Sequence, residues 1–108
     1  MVKSIDNKII RIVNQYIAEI RKHYNVAFVF LFGSYAKGTP HEDSDIDIAI
    51  ITSDVKGEFG ERLPFMKLRR NIDLRIEPHP ISIEDYQTNA TSLVNEIRQY
   101  GIQVYAAA

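Results

Sequence analysis

Apolar and polar positions along the chain fall into helical, alternating and continuous patterns, and each pattern predicts an element. Ile5, Ile9, Ile12, Val13, Tyr16, Ile17 and Ile20 recur at the i, i+4, i+7, i+8 spacing of an amphipathic helix, with Asn7, Arg11, Asn14, Gln15 and Lys22 on the opposite side. A first helix is predicted from Ser4 to His23. The run VAFVFLF, Val26 to Phe32, is apolar throughout and rich in β-formers, so it predicts a strand buried on both faces and stopped at Gly33. DIDIAIIT predicts a second strand from Asp45 to Thr52. Beyond the glycine-containing loop SDVKGEFGE, LPFMKLRR reads as a short helix with Leu63, Met66 and Arg70 on one side. NIDLRIEP, Asn71 to Pro78, alternates Ile72, Leu74 and Ile76 against Asp73, Arg75 and Glu77, which predicts a strand ended by Pro78. Ser82 followed by Asp85 resembles a capping box and opens a helical turn. TSLVNEIRQY has helical spacing at Leu93, Val94, Ile97 and Tyr100 and meets Gly101 at its end, and IQVY adds a last short strand. The sum is a single α/β domain over residues 1–108 without repeats or linkers.

Composition narrows the function more than the fold. A chain of 108 residues supports one core and no separate acceptor-binding domain, so whatever it acts on is expected to come from outside. A formal net charge of -1 argues against non-specific nucleic-acid binding, which rests on a surplus of Lys and Arg. Without cysteine there is no disulfide framework, no thiolate nucleophile and no Cys-ligated zinc. The amino terminus lacks an apolar signal core and no run reaches membrane-spanning length, so a soluble cytoplasmic protein is expected.

The chemistry is concentrated in GSYAKGTPHEDSDIDIAI, Gly33 to Ile50. Aspartate is poorly suited to strands, and Asp45 and Asp47, two residues apart, point to one face where their charges repel. A magnesium ion offsets that cost: it takes oxygen ligands, commonly one or two carboxylates with substrate phosphates and water. Two such ions stabilise both the attacking and leaving oxygens of a displacement at phosphorus. Asp73, flanked by Ile72 and Leu74 in the predicted third strand, is the candidate third acid, and Glu77 alternates onto the same face. Gly33 lets the chain turn sharply beside a ligand, and Ser34 offers an N–H and a hydroxyl to an anion. Alone, a Gly-Ser step is ordinarily a turn and an Asp-x-Asp a solvated edge; their combination points to a phosphate and metal site. A calcium loop starting at Asp43 fails because Ile48 replaces the required glycine, and a P-loop fails because Thr39 and Pro40 replace its Lys and Ser/Thr. His23, His41 and His79 read as helix-end, loop and turn residues, and Lys67, Arg69 and Arg70 as a solvated helix face.

Gly-Ser, ten residues, Asp-x-Asp and a distant hydrophobic-Asp-hydrophobic step together resemble the nucleotidyltransferase superfamily that includes DNA polymerase beta, most closely its minimal bacterial and archaeal members. The ending EIRQYGIQVY is also similar to that group. The resemblance implies a small mixed sheet flanked by helices, the palm-like fold of that superfamily. It implies transfer of a nucleoside monophosphate, AMP from ATP, to an acceptor hydroxyl with two Mg2+ ions. Gly33, Ser34 and Lys37 would hold the triphosphate, and Asp45, Asp47 and Asp73 would bind metal and catalyse. It also implies a HEPN-type toxin as partner, with the chain as an antitoxin that adenylylates a tyrosine of the toxin. An antibiotic-modifying transferase and a non-catalytic partner-binding module are the alternatives, and self-association stays open.

Overall fold

In a computed structural model of the protein, residues 5–40 and 44–108 are described. Helix α1 (Asn7–Arg21) is capped by Asp6, whose carboxylate accepts from the Lys8 N–H at 2.7 Å. It starts three residues later than predicted, because that cap fixes the first turn; Ser4 lies outside the described residues. Strand β1 (Val26–Phe32) runs into the four-residue helix α2 (Ser34–Lys37), and β2 (Ile46–Thr52) follows. Next come α3 (Arg62–Leu68), β3 (Ile76–Ser82), α4 (Ile83–Gln87), α5 (Ser92–Tyr100) and β4 (Ile102–Ala106).

The four strands form one mixed sheet in the order β3-β2-β1-β4, with β1 antiparallel to β2 and β4 and with β2 parallel to β3. Both central strands are buried on both faces, as their continuous apolar run requires. Val29, Leu31, Ile46, Ile48 and Ile50 pack with Ile9, Val13, Tyr16, Ile17 and Ile20 of α1 and Phe65 of α3. On the opposite face Phe30, Phe32, Ala49 and Ile51 pack with Val94 and Ile97 of α5. The side chains of Thr91 and Ser82 cap α5 and α4 by accepting from Val94 and Asp85 N–H groups.

Two elements depart from the alternation in the sequence. In α3 the core residue is Phe65, fully buried and stacked on Tyr24 at 4.3 Å, whereas Leu63 is exposed. The Tyr16 hydroxyl donates to the Phe65 carbonyl at 2.8 Å, and burial pushes that phenol's pKa upward. The second departure is larger. Asn71 to Arg75 form two turns with Asp73 between them, and β3 begins only at Ile76, then runs through Pro78 and Pro80.

Backbone direction explains why proline is tolerated there. Ile46 pairs with Ile76, and its N–H donates to the Arg75 carbonyl at 2.8 Å, so residues 75, 77, 79 and 81 address β2. Residues 76, 78 and 80 therefore turn their backbone groups to the outer edge, where a missing N–H costs the ladder nothing. The outward carbonyls of Ile76 and Pro78 accept from Arg69 Nη1 at 2.6 Å and Arg62 Nε at 2.7 Å. The expected basic face of α3 is thus divided: Arg69 is partly buried in covering the sheet edge, and Lys67 and Arg70 remain exposed.

Candidate functional site

Phe32, the last residue of β1, pairs with Asp47 near the start of β2, so the strand end and the acidic pair meet at one end of the sheet. Directly after Phe32, Gly33 adopts φ 71° and ψ -150°, a conformation for which only glycine is suited. A side chain there is also excluded by space. A Cβ at position 33 would overlap Asp47 Oδ2 and lie 3.1 Å from its Cγ. Glycine at 33 is therefore what allows the turn and the carboxylate to touch.

Ser34 opens α2 immediately beyond this contact, and the Lys37 N–H returns to the Gly33 carbonyl at 3.0 Å. The first N–H groups of such a turn have no intrahelical acceptor. Lys37 closes the helix with its Nζ 5.0 Å from the Tyr100 ring centroid at the end of α5.

The acids are not equivalent. Asp45 is exposed just ahead of β2, and Asp47 is half-buried within it. In the parallel register Asp47 pairs with Glu77, so their side chains start from the same face of neighbouring strands. The Glu77 carboxylate reaches Arg62 at 2.6 Å and Arg69 at 4.0 Å. His79, two residues on, brings Nε2 to 3.4 Å from Asp47 Oδ1 and sets its ring edge on Phe32 at 5.1 Å between centroids. His79 is thus a strand residue beside the acidic pair, not the turn residue that its two flanking prolines suggested.

Asp73 stands apart from this row. It lies between the two turns before β3, and its Oδ1 accepts from the Arg75 N–H at 2.8 Å and Nε at 3.1 Å while Oδ2 accepts from Nη2 at 2.9 Å. The hydrogen bond from the Arg75 side chain holds the Asp73 carboxyl below the usual carboxylate range. The expected placement of Asp73 on a strand face is corrected accordingly: the register puts Glu77 there. The Pro-x-Pro step was the overlooked signal, since two prolines two residues apart share one edge of a strand. His41, together with Glu42 and Asp43, lies outside the described residues.

Among the described residues no group of three or more His, Cys, Asp or Glu side chains is placed to hold a metal by itself. A carboxylate against a glycine cradle, with a second two residues ahead of it in the chain, nevertheless suits a hard divalent cation whose other ligands are phosphate oxygens and water. A cavity of about 370 Å³ lined by Tyr24, Asn25, Ser53 and Tyr105 opens at the other end of the sheet and contains none of these acids.

Comparison with known proteins gives the family of the chain. Residues 14–108 match the family described as Polymerase beta, Nucleotidyltransferase. The chain belongs to this nucleotidyltransferase family. It is 28% identical over 100 residues, 93% of its length, to protein adenylyltransferase MntA of Shewanella oneidensis, and it spans 64% of that relative. Over 76 residues it is 32% identical to a Methanocaldococcus jannaschii protein, covering 70% of this chain and 76% of the relative. A crystal structure of a toxin-antitoxin with AMP-PNP contains a chain that superposes with TM-score 0.60 at 27% identity, over 94% of this chain and 73% of that one. The mixed four-stranded sheet with flanking helices is the nucleotidyltransferase fold, as the resemblance implied. No helix among the described residues is long and apolar enough to cross a membrane.

Proposed function

We propose that this nucleotidyltransferase moves AMP from ATP to a hydroxyl presented by a protein partner, a HEPN-type toxin that it thereby neutralises. The observation that carries the reading is the contact of Gly33 with the Asp47 carboxylate, which sets the turn proposed to hold phosphate against one acid of the pair. The MntA relationship and the toxin-antitoxin neighbour with AMP-PNP support the nucleotide and the class of partner.

Asp45 and Asp47 hold magnesium in this proposal, and Glu77 is the third acid by register, with Asp73 kept for Arg75. Bound magnesium supplies positive charge beside the reacting phosphate. Ser34 donates to the triphosphate, and Lys37 offsets its charge from the end of α2. The acceptor oxygen forms a bond to the α-phosphorus while the bond to the bridging oxygen toward the β-phosphorus breaks. Pyrophosphate leaves, and the hydroxyl proton passes to a site carboxylate.

The test is incubation of the purified chain with magnesium, ATP radiolabelled at the α-phosphate and a HEPN-type protein. A labelled partner band that disappears with Asp47→Asn is expected. Rapid labelling of an added aminoglycoside without any partner would point to antibiotic modification instead. Tight partner binding without label, unchanged by Asp47→Asn, would make the chain a non-catalytic module.

A further inference from the structure

We propose that Tyr100 is the platform on which the base of the nucleoside triphosphate stacks, next to the Lys37 ammonium. The inference rests on the nucleotidyltransferase reading and extends it from the triphosphate to the base. Tyr100 follows Val94 and Ile97 at helical spacing, yet those two are 1% exposed and Tyr100 is 46% exposed. Core packing therefore does not account for a large aromatic at this position.

Its place in the fold is specific. Tyr100 ends α5, and after Gly101 the chain enters β4 with Ile102 paired to Leu31, one residue short of the Phe32–Asp47 pair. Val94 and Ile97 pack with Phe30 and Phe32, so α5 covers the sheet face to which Asp47 and His79 belong. Tyr100 thus stands at the same end and on the same side as the acids. Lys37 Nζ, 5.0 Å from the ring centroid, ties it to the helix that begins at Ser34. From Ser34 to Lys37 that helix rises only about 5 Å. A ribose sets the base off from the α-phosphate, and Tyr100 is likewise set off from the phosphate turn, by that helix and by the Lys37 side chain that reaches it. The Lys37 ammonium lies over one face of the ring, and the ring's exposed surface is available to a planar ligand. Because every base has a π-face, such a platform binds bases without choosing among them.

Calorimetric titration of the full chain with Mg-ATP, Mg-GTP and Mg-tripolyphosphate tests this. In the wild type both nucleotides should bind more tightly than tripolyphosphate. Tyr100→Ala should weaken ATP and GTP about tenfold each and leave tripolyphosphate unchanged, and Tyr100→Phe should restore nucleotide binding. Equal wild-type affinity for ATP and tripolyphosphate, or an equal loss of both in Tyr100→Ala, overturns the base platform while leaving the phosphate site standing. Wild-type binding of none of the three overturns the nucleotidyltransferase reading itself.

Discussion

Strand β2 has an aspartate near each end, and the two ends are built differently. Beyond Thr52, Asp54 accepts from the Asn25 N–H at 2.6 Å, while the Thr52 hydroxyl donates to the Asn25 carbonyl at 2.6 Å and accepts from the Asp54 N–H at 3.1 Å. Thr52 is fully buried, and this small network ties the start of β1 to the end of β2. At the other end Asp45 is exposed, and Asp47 faces a glycine and an imidazole 3.4 Å away. The same residue type closes the sheet at one end and leaves charge available at the other. What distinguishes them is whether the neighbouring backbone and hydroxyl groups point at the carboxylate.

The sharpest way to break that contrast is to remove the charge at the open end. Asp47→Asn is expected to lower AMP transfer by about 10^3-fold, equivalent to several kcal/mol of transition-state stabilisation. Without magnesium its melting temperature should stay the same or rise, because repulsion from Asp45 is relieved. Calorimetric melts with and without magnesium and ATP, run beside a transfer assay, check both halves. A marked loss of metal-free stability would mean that Asp47, like Asp54, is a structural residue.

Glu77→Gln comes next and asks whether the row of acids extends onto β3. Transfer is expected to fall about 10- to 100-fold, with Arg62 still able to meet the amide oxygen and so preserve the edge. Circular dichroism should be unchanged. Full activity in this variant would leave the pair on β2 as the whole acidic set.

The two central strands were legible in the sequence because both faces are buried. VAFVFLF and the apolar remainder of DIDIAIIT leave no other place for so many β-branched and aromatic residues. The acidic pair was legible because aspartate is out of place in a strand, and the Gly-Ser step, an ordinary turn by itself, because it stands ten residues ahead of that pair. β3 was misread because alternation in NIDLRIEP imitates a strand, and because proline normally terminates one. Only the sheet shows that Pro78 and Pro80 both face the outer edge, where Arg62 and Arg69 cover the carbonyls. Phe65 was missed for a related reason: a helix of seven residues has too few turns for its periodicity to single out the buried side. Composition and spacing report which residues are unusual, but register decides which of them meet.

At the closed end the expected effect is smaller and of the opposite kind. Asp54→Ala removes the acceptor for the Asn25 N–H and should lower unfolding free energy by about 1 kcal/mol, since the group is partly solvated. Urea unfolding gives that difference, and transfer per folded molecule should equal wild type. Lost transfer with unchanged stability would contradict the division of labour along β2.

Asp73 gives the smallest effect and the most direct test of its placement. Its carboxyl is held below the usual range by hydrogen bonds from the Arg75 side chain and backbone. A depressed pKa in the folded state means that the pair stabilises the protein above the unfolded value, about 3.9, and that this contribution is lost as pH falls through the folded value. Because the Arg75 side chain is 41% exposed, solvent screens the pair, and its worth at neutral pH is less than about 1 kcal/mol. Asp73→Asn should therefore be slightly less stable than wild type at pH 7. The two stability curves should converge below about pH 4 as wild-type Asp73 takes up its proton. Transfer at neutral pH should change less than about twofold, because removing so weak an ion pair leaves the acids of β2 and Glu77 in place. A loss of transfer comparable to that of Asp47→Asn, with parallel stability curves, would instead put Asp73 among the acids that act on the phosphate and make Glu77 the residue reserved for the arginines.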